Sequence, residues 1–201
     1  MTDRKLATLG KREKNKIEKE RKIVAAARDA FIGSGFENAT MSQIAEAAGV
    51  AKGTLFLYAS SKEELLALVF LQDLKPVVES SLTALPDAPF AERLRNHYQA
   101  IIDKNREHLE LSRPFLKELA WLRDAKILEF LAGWTGGMAE MVRTAQERGE
   151  IRGELVPETL AVLFMDMVLG PLRRWLAGRM DYAALTRQIE DNILVALNGA
   201  G

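Results

Sequence analysis

The chain has 201 residues, with 28 Lys and Arg against 28 Asp and Glu, 48% apolar residues and no cysteine. That length and apolar content suffice for a sizeable core, as one domain or as a small one fused to a larger, while the absence of cysteine excludes disulfides and thiolate metal sites. No apolar run approaches the ~20 residues of a membrane span, and no signal-peptide core follows the basic start, so a soluble, cytoplasmic protein without a membrane partner is expected.

Met1 to Lys22 carries nine Lys or Arg against four Asp or Glu. No apolar stripe organises its early part, so residues 1–20 read as a solvated, disordered tail. A sharper reading has Arg4, Lys5, Lys11, Arg12, Lys14 and Lys16 reaching along or into a groove of a polyanionic partner. Ile23, Ala27 and Phe31 then repeat at four-residue spacing with Val24 and Ala30 beside them, which predicts an amphipathic helix ending near Gly33 and Gly35.

Thr40 followed three positions later by Gln43 is a capping-box pair, so a helix is predicted from Met41 with Ile44, Ala45 and Ala48 buried. Gly49 stands where that helix must stop and turn, and Val50 plugs the corner. A second short helix runs from Ala51 or Lys52 to about Tyr58, with Leu55 inward. Ala45 faces its crossing point, where a larger side chain would force the two helices apart. Ser61 with Glu64, or Ser60 with Glu63, opens the next helix. An ordinary αα-hairpin has similar spacing, but the small residue, glycine, branched apolar residue and Gly53-Thr54 together fit a helix-turn-helix that lays its second helix in a major groove.

From Thr40 to Leu65 the chain resembles the TetR-type bacterial transcriptional repressors. Thr40, Ile44, Ala45, Ala48, Gly49, Val50, Lys52, Gly53, Thr54, Leu55, Tyr58, Ser61, Lys62, Glu63 and Leu65 stand where that family's pattern puts them. It departs at Ala51 for a serine, Phe56 for a tyrosine and Ala59 for a large aromatic. Ala51 cannot cap through its side chain, a loss of about 1 kcal/mol. The resemblance implies that Thr40, Tyr58 and Lys62 hold phosphates while Lys52, Gly53, Thr54 and Leu57 face bases or the groove wall. Phe56 is left with apolar contact or packing. Leu57 reads either as a partner for a thymine methyl or as an exposed apolar residue of no consequence.

Through Leu65 there are twelve Lys or Arg against nine Asp or Glu, leaving sixteen against nineteen in the remainder. That modest asymmetry fits a DNA-contacting end on a body that should not stick to DNA. The expected domains are 21–66 for DNA binding and 67–201 for a helical effector-binding and dimerisation body.

Beyond Lys62 the pattern is helical throughout, giving an all-α protein. Helices are predicted from Ser61 to Leu82 with a bend at Pro76, Pro89 to Leu111, Pro114 to Leu122, Ala125 to Arg148, Glu158 to Leu176, and Tyr182 to Leu197. Gly170-Pro171 should kink or break the penultimate one. Ala145 to Phe164 also resembles the family's passage from a long body helix, through a G-x-I-R-x-x-x-x-P connection, into the next helix. In that family the last two helices pair with their copies in a second subunit. Leu160, Phe164, Val168 and Leu172, with Leu185, Ile189, Ile193 and Leu197, are the stripes that would do so here, although both also suit the chain's own core. A homodimer on an inverted repeat of double-stranded DNA is expected, because one recognition helix makes too few base contacts.

The expected effector pocket, for a small apolar or aromatic molecule, draws on Phe70, Tyr98, Phe115, Trp121, Trp134, Met138, Met141 and Phe164, each of which also suits ordinary core packing. Gly133, Gly136 and Gly137 around Trp134 either leave volume or allow close packing. A third possibility keeps DNA binding and has the body dock a protein partner. An enzyme has little support. His97 and His108 lie about 16 Å apart along a helix, too far to share a metal, and the nearby Asp103, Glu107 and Glu110 read as a wet face. No nucleophile-elbow, phosphate-loop or zinc-helix motif is present, and neither cofactor nor metal is expected.

Overall fold

The structure, a computed structural model, describes residues 10–200. Among these the regular elements are all helical: α1 Lys11–Ser34, α2 Met41–Ala47, α3 Lys52–Leu55, α4 Lys62–Thr83, α5 Phe90–Glu107, α6 Leu109–Glu118, α7 Ala125–Glu147, α8 Pro157–Leu176 and α9 Tyr182–Ala200, with one 3₁₀ turn at Leu119–Trp121. The chain forms two compact units that divide at Phe70 and Leu71, inside α4.

In the first unit α1 starts well before its apolar stripe. Lys, Arg and Glu are strong helix formers, and Glu18 pairs with Lys22 at 3.3 Å, a favourable four-residue spacing. From Lys11 onward the expected disordered extension is therefore a helix with solvated side chains. Residues 1–9, including Arg4 and Lys5, lie outside the described residues. Further along, Ile23, Val24, Ala27 and Phe31 are buried and the helix ends at Gly35, so the amphipathic stripe falls where its spacing predicts. Ile44, Ala45, Leu55 and Leu65 complete this small core.

Gly49 ends α2 at φ 66°, a region costly for residues with a Cβ. The Gly49 N–H donates to Glu46 O and the Val50 N–H reaches back to Ala45 O, both at 3.0 Å. These bonds meet carbonyls that a helix end would otherwise leave unpaired.

In the second unit two prolines correct the expected boundaries. The break between α5 and α6 comes at His108, with φ −139° and ψ 72°, and α6 runs through Pro114. A proline ring crowds the preceding turn, so the chain relieves it upstream. The Ser112 hydroxyl then covers the exposed end, 2.8 Å from Asn105 O and 3.0 Å from His108 O. Likewise α8 is not broken at Gly170-Pro171. Proline cannot donate to the carbonyl four residues back, but the Asn192 amide of α9 donates to Met167 O at 3.1 Å and fills that place. Helix α4 also continues through Pro76.

The body core is built on α5, α7 and α8, with Phe90, Leu94, Tyr98, Ile101, Trp134, Met138, Met141, Phe164 and Val168 all buried. Asp124 caps α7 by accepting from Lys126 N and Ile127 N. A Cβ on Gly137 would fall 2.6 Å from Leu82 Cδ1, so this glycine marks close packing, whereas one on Gly133 or Gly136 would meet nothing within 4 Å.

Candidate functional site

The capping box forms as its sequence requires: Thr40 Oγ1 accepts from Gln43 N at 3.3 Å while Thr40 N donates to Gln43 Oε1 at 3.1 Å. Helix α3 is only Lys52–Leu55, followed by tighter turns in which Leu57 N donates to Thr54 O and Tyr58 N to Leu55 O. Its N-cap Ala51 makes no side-chain bond. Leu55 is fully buried and anchors the element. Around it Lys52, Gly53, Phe56 and Leu57 are exposed and Thr54 half-exposed, Leu57 reaching 83%.

Three residues expected on phosphates have partners inside the unit. Lys62 Nζ donates to Phe36 O at 2.7 Å and Glu37 O at 3.0 Å and sits 4.5 Å from the Phe36 ring centre. Two of its three N–H bonds thus hold the turn before α2. Tyr58 Oη donates to Lys16 O at 3.3 Å, tying the recognition element to the basic first turns of α1. The Thr40 hydroxyl is 2.7 Å from Gln43 Oε1. The Thr40–Gln43 pair is legible as a capping box, whereas the partners of Lys62 and Tyr58 lie 25 to 42 positions away and have no local signal.

In the body, Tyr98 Oη donates to Phe164 O at 2.6 Å, and the Phe164 ring packs edge-on to Phe90 at 5.2 Å. Burial raises the Tyr98 pKa. Phe115, Met138 and Met141 are buried too, as is Phe70 at the end of the first unit. Trp121 is a correction: it stands 76% exposed on the 3₁₀ turn, outside the buried cluster. A groove of about 430 Å³ lies between α5 and α9, lined by Tyr98, Ile102, Ile189, Thr186 and the Arg95–Glu190 ion pair.

The stripes assigned to dimerisation are a second correction. Leu160, Phe164, Val168, Leu172, Leu185, Ile189 and Ile193 are all at most 7% exposed, covered by the chain's own core, and Leu197 is half-buried. The strongest apolar stripe on each helix is used within the protomer. Beside those stripes a second apolar set faces out: Val162 and Leu163 on α8, and Leu194 and Val195 on α9, are each half-exposed or more.

Sequence reasoning also missed a buried polar relay. His97 is fully buried, its Nε2 2.9 Å from Trp134 Nε1 and its Nδ1 2.8 Å from Ser81 Oγ. Indole N–H is a donor only, so Nε2 accepts and the proton sits on Nδ1, which donates to Ser81. The Ser81 hydroxyl passes its own hydrogen to Val77 O at 2.7 Å. Burial pulls the His97 pKa down to about 4, so the ring is neutral. Leu94 and Ile101, three before and four after, were the signal that places His97 on the buried face. His108 instead lies near the surface, 3.2 Å from Glu110. Among the described residues no group of three or more His, Asp or Glu could hold a metal, and no helix is long and apolar enough to cross a membrane.

Residues 23–69 match the family model for bacterial regulatory proteins of the tetR family. The chain is 33% identical over 121 residues to the HTH-type transcriptional regulator RutR of Escherichia coli K12, covering 59% of this chain and 56% of that one. It is 29% identical over 145 residues to the HTH-type transcriptional repressor DhaR of Mycobacterium sp. GP1, covering 69% and 73%. Thermus thermophilus FadR, a TetR-family transcriptional repressor solved in complex with lauroyl-CoA, superposes with a TM-score of 0.76 at 25% identity, over 90% of this chain and 94% of that one.

Proposed function

The chain belongs to the TetR family of bacterial transcriptional regulators, and on that premise we propose that it is a homodimeric repressor, released from an inverted-repeat operator by a small apolar or aromatic effector. The carrying observation is Gly53. Its φ is ordinary, and an added Cβ would meet nothing within 4 Å. Glycine in a helical conformation is entropically less favourable than alanine, by up to about 1 kcal/mol in a helix interior. Among the described residues nothing requires a glycine at this position, which supports a demand from outside, from a surface that the backbone approaches closely.

In this reading Lys52, Thr54 and Leu57 contact base edges or the groove wall, Phe56 makes apolar contact, and Thr40, Tyr58 and Lys62 approach phosphates. Lys62 and Tyr58 also hold the recognition element against α1 and the turn before α2. Two copies brought together through the exposed Leu163, Leu194 and Val195 present two such elements to half-sites about 34–36 Å apart. The effector occupies the body among Tyr98, Trp134, Met138, Met141 and Phe164. A relative holding lauroyl-CoA supports a ligand with a long apolar part.

The test is Gly53→Ala, with the operator mapped by footprinting the DNA flanking the gene. The variant should be as stable as the parent or more so, and should bind the operator at least tenfold more weakly, a loss of about 1.4 kcal/mol. Undiminished operator affinity overturns this placement of the recognition surface. A panel of apolar and aromatic compounds that leaves operator binding unchanged removes the effector.

A further inference from the structure

The buried face of α5 carries Phe90, Arg93, Leu94, His97, Tyr98 and Ile101. Arg93 is the anomaly in this row. It is 7% exposed, and its Nε–H is buried with no acceptor. Arginine keeps its charge under all ordinary conditions, and a buried guanidinium with an unmet donor is costly.

Its surroundings do not neutralise it. Arg148 stands close enough to repel it, and burial together with that repulsion lowers the Arg93 pKa against the opposing pull of Glu150. Arg148 makes its own bonds to the carbonyls of Pro86 and Ala88, at 2.8 and 3.4 Å, and engages no carboxylate in them. Glu150 is the one acid among the charges acting on Arg93, and it accepts from the Phe90 backbone N–H at the start of α5. Two cations and one anion leave a positive excess beside an apolar seam.

We propose that Arg93 is the anion-recognition point of the effector site, so that the effector is an apolar chain ending in a carboxylate or phosphate. This rests on the body being an effector site. A planar guanidinium offers a fork that matches either oxyanion. One helical turn further along the same face lie His97 and Tyr98, next to the aromatic residues Trp134 and Phe164 that would receive the chain. Without ligand Arg93 is a poorly compensated charge with one unmet donor, opposed by Glu150 alone among the charges named; a bound anion completes it.

Calorimetric titration of the intact protein with decanoate, decyl phosphate and 1-decanol tests this, since the three share one chain and differ in the head. At least one anion should bind about tenfold or more tightly than decanol. Arg93→Met should abolish that difference while keeping decanol affinity, and the ligand-free variant should melt no lower than the parent, because a poorly compensated buried charge has been removed. Glu150→Gln keeps an acceptor for Phe90 N–H, removes the opposing charge, and should strengthen anion binding. A preference for decanoate alone assigns a free acid, and for decyl phosphate alone a phosphate ester. The proposal is overturned by decanol binding as tightly as both anions, or by an anion preference that survives Arg93→Met. Should Arg93→Met not fold, the parent against Glu150→Gln and Arg93→Lys decides it, unchanged anion affinity in both being the overturning result. If none of the three compounds binds while another apolar compound releases the operator, this inference fails and the effector reading stands. If no compound of any kind releases it, both fail.

Discussion

Lowering the pH should destabilise the body through His97. Protonation puts a hydrogen on Nε2, where the Trp134 indole N–H already points, so the 2.9 Å bond becomes a contact between two donors. The ring is fully buried, and burial holds its pKa near 4 against 6.5 in a model peptide. Because the folded value is the lower one, the unfolded chain takes up the proton first. The stabilisation is complete above about pH 6.5 and is lost as pH falls toward 4. Between about pH 7.5 and pH 5 the linkage amounts to roughly 2 kcal/mol.

Urea unfolding at fixed protomer concentration, across that range, reads the effect, with His97→Gln as the reference in which this group cannot titrate. Other groups contribute to both proteins and drop out of the difference between the two slopes. The parent should lose about 2 kcal/mol more than the variant over the interval. Equal slopes, or a His97 ring that titrates near 6.5 by NMR, refute the burial of a neutral His97.

Asn192→Leu leaves Met167 O without its donor, and should destabilise the body by about 1–3 kcal/mol in denaturant titration; a neutral result would mean that Pro171 needs no such compensation. Gly49→Ala forces a Cβ into φ 66° and should cost about 1–2 kcal/mol, seen as a lower melting temperature of the DNA-binding unit. Leu194→Asp, on the outward face of α9, should shift the protein to monomers by sedimentation at micromolar concentration and weaken operator binding with it. An unchanged dimer would move the interface elsewhere.

What the sequence reveals follows the range of the interactions involved. The Thr40–Gln43 box and the Gly49 turn are set by residues within five positions of one another, and both form as their spacing predicts. The amphipathic stripe of α1 is equally local. Its onset is not legible in the sequence, because solvated Lys, Arg and Glu say nothing about burial while still favouring helix. The proline positions are visible in the sequence, but their consequences depend on groups elsewhere: Asn192, 25 residues from Met167, decides that α8 continues. The relay of Ser81, His97 and Trp134 spans three helices and has no local signature.

The dimer stripes fail for a related reason. A helix in a body that is both folded and paired must bury two faces, one against its own protomer and one against the partner. Periodicity reports the more apolar of the two. On α8 that is Leu160, Phe164, Val168 and Leu172, which the protomer needs before any partner arrives. A pairing face must stay tolerable to water until it is covered, so it can hold only a weaker stripe, such as Leu163 with Met167 and Gly170, or Leu194 and Val195. An interface in a helical body of this kind is therefore better sought in the second apolar stripe of a helix than in the first.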